Sequence, residues 1–456
     1  MRERVWVAQA SRAPSVWPRG ENNLAFKFVF GGRERTPKKT CAIARTHSPT
    51  RSPRRIRPVA DETCALPFGR NSPSHPIANR LMSDNMNTLP LSRRKFAQLL
   101  GAGAAAAFVR PTVSFAKQPE HVPASWQVVR LSANENPYGP SSKALKAMND
   151  SFTLACRYPD EHNNILIDKL AKLNGVSREQ ILLGDGSSEI LKLCAETFTG
   201  KEHGTLVVAD PTFEAILEQA TTNGAEAMKV QLTPTFTHDL PKMLSAAKRG
   251  LIYVCNPNNP TASITPKNEL RDFIGKTPAE IMILVDEAYF HFADNPDYET
   301  AIPLVKDYPN LIVARTFSKI YGMAGLRCGY CVAQKETIDR MRPYQMWDSV
   351  NIMALAAASA SLDDPDHVPN GQRLNKDARE FTISGLDKLG YETIPSQANF
   401  IMFDCKRPVV SLIQAMKQQS VHVGRLFPAL PNHMRVTIGK KTEMESFLNA
   451  FKQVIA

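Results

Sequence analysis

Lys319 is the only lysine of residues 314–330 (ARTFSKIYGMAGLRCGY), a segment with little other charge. It follows two small hydroxyl residues, Thr316 and Ser318, and Arg327 comes eight positions after it. A surface lysine usually has polar neighbours, so this setting favours a chemical role over a solvated one. A lysine amine is a nucleophile that forms a Schiff base with an aldehyde.

Other reactive side chains stand where apolar segments end. The segment ILLGDGSSEIL ends a strand-like run at Gly184-Asp185-Gly186 and begins a helical run at Ser187 and Ser188. Free backbone N–H groups and hydroxyls at such a helix start form a cradle for phosphate, although serine is also an ordinary helix cap. Three later segments, ADPTFEA, CNPNNPTA and VDEAYF, end apolar runs with side chains that can contact a ring: Phe213, Asn259, Asp286 and Tyr289.

These segment ends together supply a phosphate cradle, an aromatic face, a carboxylate, two groups that can hydrogen bond a phenol oxygen, and a lysine. Pyridoxal phosphate needs this set, because its aldehyde attaches to a lysine and its pyridine nitrogen stays protonated beside a carboxylate such as Asp286. Each residue alone has an ordinary explanation, as a surface charge, a turn residue or a core side chain. Their order on successive segments favours the cofactor.

The elements that must position these residues alternate along the chain. Strand-like segments such as LIYVCN, IMILVDEAYF and LIVARTF are short and continuously apolar, and helical segments separate them. This order predicts an α/β domain with a mainly parallel sheet covered by helices, whose chemistry lies at the carboxyl ends of the strands. After about residue 346, a long helical stretch and short strands predict a smaller α+β domain. We place a joining segment at 117–150, a large cofactor domain at 151–345 and a small domain at 346–456.

The chain from Leu131 to Ala456 resembles the class I/II, fold-type I aminotransferases, and most closely their histidinol-phosphate aminotransferase branch. Six motifs occur in the family's order: LSANENPYGPS, CRYPD, GSSE, TFSKIYGMAGLR, SQANF and MRVTIG. The resemblance implies a homodimeric transaminase that moves an amino group between an amino acid, or an amino phosphate such as histidinol phosphate, and a 2-oxo acid. It also implies a large domain with a mainly parallel seven-stranded sheet and a small α+β domain.

The resemblance further implies a role for each site residue. Five residues would surround the cofactor ring: Lys319 as the Schiff-base residue, Asp286 at the pyridine nitrogen, Phe213 stacked on the ring, and Asn259 with Tyr289 at the ring oxygen. The cofactor phosphate would be held by Ser187, Ser188, Thr316, Ser318 and Arg327, and by Tyr158 reaching across from a second subunit. The substrate would be held by Arg435 at its α-carboxylate, by Arg425 at its side chain, and by Asn399.

The net charge of +12 belongs to the N-terminal part of the chain. Residues 1–117 carry 21 Lys and Arg against 6 Asp and Glu, whereas residues 118–456 carry 35 against 38. The body is nearly neutral, so a nucleic-acid partner is not indicated. No segment after residue 116 has the ~20 apolar residues that a membrane span needs. We assign no metal.

The N-terminal part reads as two segments. Residues 1–81 are rich in Arg, Pro and Ser without a sustained apolar period, which is typical of disorder or of a start codon assigned too far upstream. Residues 82–116 contain Arg93 and Arg94, then a short run of small and apolar residues, and then SFA before Lys117. This pattern resembles a twin-arginine export signal. We therefore expect the export machinery to carry the protein to the periplasm, and a cytoplasmic location if the signal is not used.

Two departures from the family bear on the substrate. The N-P-T-G turn reads Asn259-Pro260-Thr261-Ala262, which is unstrained only if residue 262 has a negative φ. The branch also carries an L-x-P-Y segment whose tyrosine helps hold the substrate phosphate, and the stretch KQPEHVPASWQVVRLSANE has no such tyrosine. Histidine synthesis is cytoplasmic, which an exported enzyme would not serve. The sequence therefore favours transamination without fixing histidinol phosphate as the substrate.

Two other functions remain open at this stage. A decarboxylase or lyase of the same fold differs only in which substrate bond lies perpendicular to the ring. A thiol oxidoreductase would use the C-x-x-C motif of Cys328 and Cys331, but this motif lies in a run that alternates like a strand instead of opening a helix. That setting favours a structural role for both thiols. The irregular spacing of the six cysteines after residue 117 indicates no disulfide framework.

Overall fold

The computed structural model describes residues 128–456, so the predicted leader and export signal lie outside the described residues. Eleven strands occur in this part of the chain: β1 (Val129–Arg130), β2 (Ile181–Gly184), β3 (Thr205–Asp210), β4 (Ala227–Gln231), β5 (Gly250–Cys255), β6 (Ile281–Asp286), β7 (Leu311–Thr316), β8 (Gly329–Ala333), β9 (Phe400–Asp404), β10 (Val421–His422) and β11 (His433–Thr437). Eleven α-helices occur in the same part: α1 (Ser142–Ser151), α2 (Asp160–Asn174), α3 (Ser187–Phe198), α4 (Ala215–Thr222), α5 (Leu240–Ala246), α6 (Lys267–Lys276), α7 (Lys335–Met341), α8 (Ile352–Leu362), α9 (His367–Lys388), α10 (Val409–Gln418) and α11 (Lys441–Ile455).

The central sheet has seven strands in the order β2-β8-β7-β6-β5-β3-β4. Strand β8 is antiparallel to both of its neighbours, and the other neighbouring pairs are parallel. The predicted fold class, α/β with a mainly parallel seven-stranded sheet, is thereby confirmed. The carboxyl ends of β5, β6 and β7 consequently meet at one edge, where a parallel sheet places its chemistry.

Both faces of this sheet are buried, which explains why its strands are continuously apolar. In β5, Leu251 and Tyr253 face one core, whereas Ile252 and Val254 face the other. Helices α3 and α4 cover the face that Tyr253 lies on, and α2 and α6 contribute to the opposite face. The alternation follows from the two-residue period of a strand.

The C-terminal part of the chain forms a second core around two short sheets. Strand β1 pairs with β10 in parallel, and β9 pairs with β11 in antiparallel orientation. Helices α9, α10 and α11 enclose the core that these strands share, as the predicted small α+β domain requires. The predicted domain limits at residues 150 and 345 stay predictions. Within residues 128–456, no helix is both long enough and apolar enough to cross a bilayer.

The turn after β5 contains the replacement of glycine by Ala262. Ala262 has φ +62° and is fully buried. The negative φ that would leave an alanine unstrained at this position is therefore not found. A left-handed alanine costs about 1 kcal/mol. Hydrogen bonds hold the conformation, because the Ala262 N–H donates to the Asn258 carbonyl and the Ala262 carbonyl accepts from the Gln397 N–H, both at 2.8 Å.

Candidate active site

Lys319 lies in the loop that follows β7, at the carboxyl edge of the sheet. The lysine is half-buried, and its Nζ lies 5.5 Å from the centroid of the Tyr289 ring and 3.5 Å from the Ala133 carbonyl oxygen. Burial, with a smaller contribution from the positive charge of Arg435, lowers the pKa of Lys319 to about 8. A fraction of the amine is therefore uncharged, and able to act as a nucleophile, near neutral pH.

Asp286 is the last residue of β6 and is only 2% exposed. The Tyr253 hydroxyl donates to Asp286 Oδ2 at 2.9 Å, and the Ala288 N–H donates to Oδ1 at 3.1 Å. Burial raises the pKa of Asp286 to about 6, although both hydrogen bonds oppose that shift. A carboxylate in this setting gains most from a cationic N–H partner, which the protonated pyridine nitrogen of pyridoxal phosphate can provide.

A buried ion pair supports the chain around Asp286. The next residue, Glu287, is 1% exposed and accepts from Arg315 Nη2 at 2.9 Å and Nε at 3.1 Å. It also accepts from the Ala301 N–H at 2.7 Å and from the Thr300 hydroxyl at 2.8 Å. These four bonds fix the chain immediately after β6, and the carboxylate of Asp286 is fixed with it.

The start of α3 and the loop after β7 converge on Arg327. Arg327 Nη2 lies 3.3 Å from the Asp185 carbonyl oxygen and 3.4 Å from Ser188 Oγ, and Nη1 lies 3.4 Å from Ser318 Oγ. The residue before the helix, Gly186, has φ +73°, and a Cβ there would lie 2.1 Å from Arg327 Nη2. The cradle therefore needs glycine, and it leaves backbone N–H groups of the helix start next to a guanidinium.

Two other predicted phosphate contacts, Thr316 and Ser187, lie beside this cradle. Thr316 and Ser318 are joined by a 2.9 Å bond between their hydroxyls, and the Ser318 N–H donates to Thr316 Oγ1 at 3.1 Å. Ser187 begins α3, and its backbone nitrogen would lie 2.4 Å from a Cβ placed on Gly329. The geometry and charge of the cradle fit a phosphate group.

The predicted pair at the ring oxygen is buried and already hydrogen bonded. Tyr289 is 3% exposed, and its hydroxyl accepts from Asn134 Nδ2 at 3.0 Å. Burial raises the pKa of Tyr289 well above its ordinary value, so the hydroxyl keeps its proton as a donor. Asn259 is 6% exposed and accepts from Arg435 Nη1 at 2.6 Å.

Arg435 is a buried guanidinium of β11 that contacts Asn259. It is 8% exposed, donates from Nη2 to the Ser132 carbonyl at 2.6 Å, and has no hydrogen-bond partner at Nε within the described part of the chain. Burial lowers its pKa to about 10, so it stays charged. Asn399 lies nearby at 2% exposure, and its Nδ2 donates to the Asn134 carbonyl at 3.1 Å, while its Oδ1 has no described partner. The Arg435 guanidinium can take a carboxylate.

Arg425 is placed differently from Arg435. It lies in the loop between β10 and β11, about half exposed, and forms an ion pair with Glu214. Its guanidinium also lies 4.4 Å from the centroid of Phe427. Phe213, the predicted stacking residue, directly precedes Glu214 and is partly buried. The predicted substrate arginine therefore already has an acidic partner.

Tyr158 is the predicted site residue that the structure does not join to the others. It is 82% exposed, and no hydrogen bond among residues 128–456 connects it to another site residue. Its predicted role needs a second chain and stays a prediction.

Sequence reasoning missed four residues that shape the site. They are Asn134, Tyr253, Glu214 and Glu287. Asn134 lies in LSANENPYGPS, one of the family-like motifs, so the sequence could have identified it. Tyr253 and Glu287 lay in apolar or strand-end segments, and only the packing of the sheet shows what they contact.

The two cysteines of the C-x-x-C motif are not arranged as a redox pair. Both are fully buried, and they belong to cores on opposite sides of the central sheet. Burial raises the pKa of Cys328 and of Cys331 to about 12, so neither is a thiolate at neutral pH. All six cysteines of the described region are free thiols. This placement agrees with the structural interpretation and not with a thiol oxidoreductase.

Comparison with known proteins identifies a family and several relatives of this chain. Residues 127–451 match the family described as aminotransferase class I and II. The chain is 37% identical to the histidinol-phosphate aminotransferase of Symbiobacterium thermophilum over 331 residues, which cover 72% of this chain and 91% of that protein. It is 34% identical to the histidinol-phosphate aminotransferase of Bacillus subtilis over 333 residues, 72% of this chain and 92% of that protein.

A solved structure gives a similar result. The histidinol-phosphate aminotransferase of Sinorhizobium meliloti, solved in complex with pyridoxal-5'-phosphate, matches with a TM-score of 0.68 at 26% identity, covering 77% of this chain and 99% of that one. Each of these proteins is thus matched over most of its length.

Proposed function

Since the chain belongs to the class I and II aminotransferases and is a transaminase that uses pyridoxal phosphate, we propose that its amino donor is an α-amino acid and its acceptor a 2-oxo acid. The observation that carries this choice is the buried guanidinium of Arg435, whose Nε has no partner in the described region. A planar guanidinium binds a carboxylate through two parallel hydrogen bonds. Histidinol phosphate has no carboxylate and would instead have to place its phosphate against this guanidinium and Arg425.

The roles of the catalytic residues follow from their settings. When bound, the cofactor supplies a ring that accepts electrons from the donor Cα. Asp286 would hold the protonated pyridine nitrogen, because a buried carboxylate is stabilised by a positive partner. Lys319 would hold the cofactor through Nζ and would move the proton at the donor Cα. Its lowered pKa of about 8 leaves part of the amine uncharged near neutral pH, as a base requires. Arg327 and the start of α3 would hold the phosphate.

A donor screen tests the proposed function. The purified protein, loaded with pyridoxal phosphate, is incubated with single α-amino acids and a 2-oxo acid acceptor. We expect formation of the 2-oxo acid of the donor, with the amino group recovered on the acceptor. Release of CO2 in place of that exchange would instead assign the lyase activity. Histidinol phosphate is included, and a clear preference for it over every α-amino acid would overturn the proposed donor class.

We also propose a homodimer in which Tyr158 reaches the phosphate of the partner's cofactor. Its support is the exposure of large apolar side chains on one chain, including Tyr158 at 82% and Trp347 at 93%. Large exposed apolar patches mark interaction surfaces, and a two-fold dimer would complete both sites at once. Sedimentation should give a dimer, and Tyr158→Phe should weaken cofactor binding. A fully active monomer would refute this arrangement.

Export by the twin-arginine route is the last part of the proposal, and its support is the sequence of residues 82–116. Replacing Arg93 and Arg94 by lysine keeps the charge but removes the twin-arginine pattern. The precursor should then stay in the cytoplasm, whereas the unaltered protein should appear in the periplasm and begin near Lys117. An unaltered protein found uncleaved in the cytoplasm would contradict export.

A further inference from the structure

The ion pair between Glu214 and Arg425 joins two loops that are 211 positions apart in the chain. Glu214 stands immediately before α4 and directly after Phe213, the predicted ring-stacking residue. Its side chain does not cap the helix. Its carboxylate instead pairs with Arg425.

The ring of Phe427 places this pair next to the buried arginine. Arg425 lies 4.4 Å from the Phe427 centroid, and Arg435 lies 5.2 Å from the same centroid. Phe427 itself is 3% exposed, so its position is fixed. The two guanidinium groups thus share one aromatic ring, with Arg435 buried and Arg425 about half exposed.

Exposure distinguishes the two arginines further. Arg435 is 8% exposed, whereas the side chains of Arg425 and Glu214 are 46% and 40% exposed. For a donor whose α-carboxylate lies on Arg435, Arg425 is the cation on the other side of the contact with Phe427 that its side chain could meet. An anionic side chain that reaches Arg425 must displace Glu214, and it meets the negative charge of Glu214 while doing so.

We propose that Glu214 is a specificity-determining residue that occupies Arg425 and thereby shifts the donor preference toward amino acids with uncharged side chains. This inference rests on the proposed function, because it assumes that Arg435 holds the α-carboxylate of a donor. Glu214 acts here as an internal competitor for the arginine. The competition is modest, since solvent reaches both charges.

Two matched changes test the inference. Glu214→Gln removes the negative charge and keeps the shape of the side chain. Glu218→Gln removes the same charge one turn further along α4, where the side chain is exposed and forms none of the described ion pairs. Each variant is assayed with donor pairs that differ in charge but hardly in size, namely glutamate with glutamine and aspartate with asparagine.

The measured quantity is the ratio of kcat/KM for the acidic donor to kcat/KM for its amide. In Glu214→Gln this ratio should rise about fivefold, because an exposed ion pair no longer competes for Arg425. Glu218→Gln should leave the ratio unchanged. Adding Arg425→Ala to Glu214→Gln should remove the gain. An unchanged ratio in Glu214→Gln, or an equal rise in Glu218→Gln, would overturn the inference.

A binding measurement separates this inference from the proposed function. Calorimetry with the unreactive acids succinate and propionate should show tighter binding of succinate, but not of propionate, in Glu214→Gln. If the wild-type protein transaminates no donor, the proposed function fails. If it transaminates donors, but neither the kcat/KM ratio nor the binding of succinate changes in Glu214→Gln, only the proposed role of Glu214 fails.

Discussion

Two ion pairs next to predicted site residues differ in burial and in bonding: one contains Glu287, which follows Asp286, and the other contains Glu214, which follows Phe213. Arg315 and Glu287 pair with side chains 7% and 1% exposed, and neighbouring hydroxyl and amide groups also bond the carboxylate. Arg425 and Glu214 pair at the substrate end with side chains 46% and 40% exposed. A buried pair cannot lose one partner without leaving an uncompensated charge, whereas solvent replaces either partner of an exposed pair.

The comparison shows how one fold separates chemistry from selectivity. The groups that the cofactor needs stand at the ends of buried strands or beside them, where packing leaves them little freedom. The groups proposed to meet the donor side chain, Arg425 and Glu214, stand outside helices and strands, where solvent reaches both of them. Substitutions at the cofactor end should therefore change rate or stability strongly, and substitutions at the substrate end should change preference.

Lys319→Ala should have the largest effect. The variant loses both the attachment point of the cofactor and the base at the donor Cα, so kcat should fall by at least ~10⁴-fold. Turnover of the best donor is measured with saturating pyridoxal phosphate. Lys335→Ala, which removes an exposed lysine of α7, serves as the control and should keep full activity. Appreciable turnover in Lys319→Ala would remove this residue from the chemistry.

Asp286→Asn should lower kcat by roughly 10²–10³-fold, the usual cost of removing one preorganised electrostatic partner. The neutral amide cannot keep the pyridine nitrogen protonated, so the ring becomes a poorer electron acceptor. Steady-state kinetics with saturating cofactor measures the loss. Turnover close to that of the wild type would mean that the carboxylate is only structural.

The same variant should have the opposite effect on the stability of the cofactor-free protein. Burial raises the pKa of Asp286 from 3.8 to about 6. Between these values the folded protein binds more protons than the unfolded chain, so wild-type stability falls as the pH rises through 4 to 6. Asp286→Asn lacks this titration. The unfolding free energy of the variant minus that of the wild type should therefore be about 2 kcal/mol larger at pH 8 than at pH 4. Urea unfolding of both proteins at both pH values provides the measurement. If the difference in unfolding free energy between variant and wild type is the same at pH 4 and pH 8, Asp286 is not a buried titrating charge.

Glu287→Gln breaks the buried pair and tests the comparison directly. The free energy of unfolding should fall by about 3 kcal/mol, because Arg315 keeps its charge without a partner. The equivalent change at the exposed pair, Glu214→Gln, should cost less than about 1 kcal/mol. Chemical denaturation of both variants gives the two values. Equal losses would show that the two ends do not differ in the way described.

Arg435→Lys should have the smallest effect on rate. Lysine keeps the positive charge but loses the second parallel hydrogen bond, so KM should rise about tenfold for every α-amino acid with little change in kcat. A panel of acidic, aromatic and small donors is compared by kcat and KM. If KM rises for only one class of donor, Arg435 contacts the donor side chain and not the α-carboxylate.

Much of the cofactor end could be predicted from the sequence, because its residues follow apolar runs. The segment IMILVD forms β6 as expected, and Asp286 stands at its end. The contact of Tyr253 with Asp286 could not be predicted, since it depends on the register that pairs Cys255 with Asp286 across two strands. No local pattern marks such a pairing.

The substrate end was harder to predict for a related reason. Glu214 and Arg425 are far apart in the chain, and each alone resembles a solvated surface charge. The conformation of Ala262 was also inaccessible, because its positive φ is imposed by hydrogen bonds to Asn258 and Gln397. Long-range packing, and not local propensity, sets both features.

The central claim is that Lys319, Asp286 and the phosphate cradle assemble one pyridoxal phosphate site that exchanges an amino group with an α-amino acid. The most direct test is the visible absorption spectrum of the purified protein, recorded after loading with pyridoxal phosphate and again after adding a donor without an acceptor. We expect a yellow protein whose visible band bleaches as one equivalent of 2-oxo acid forms per site. A protein that stays colourless after incubation with pyridoxal phosphate would contradict it.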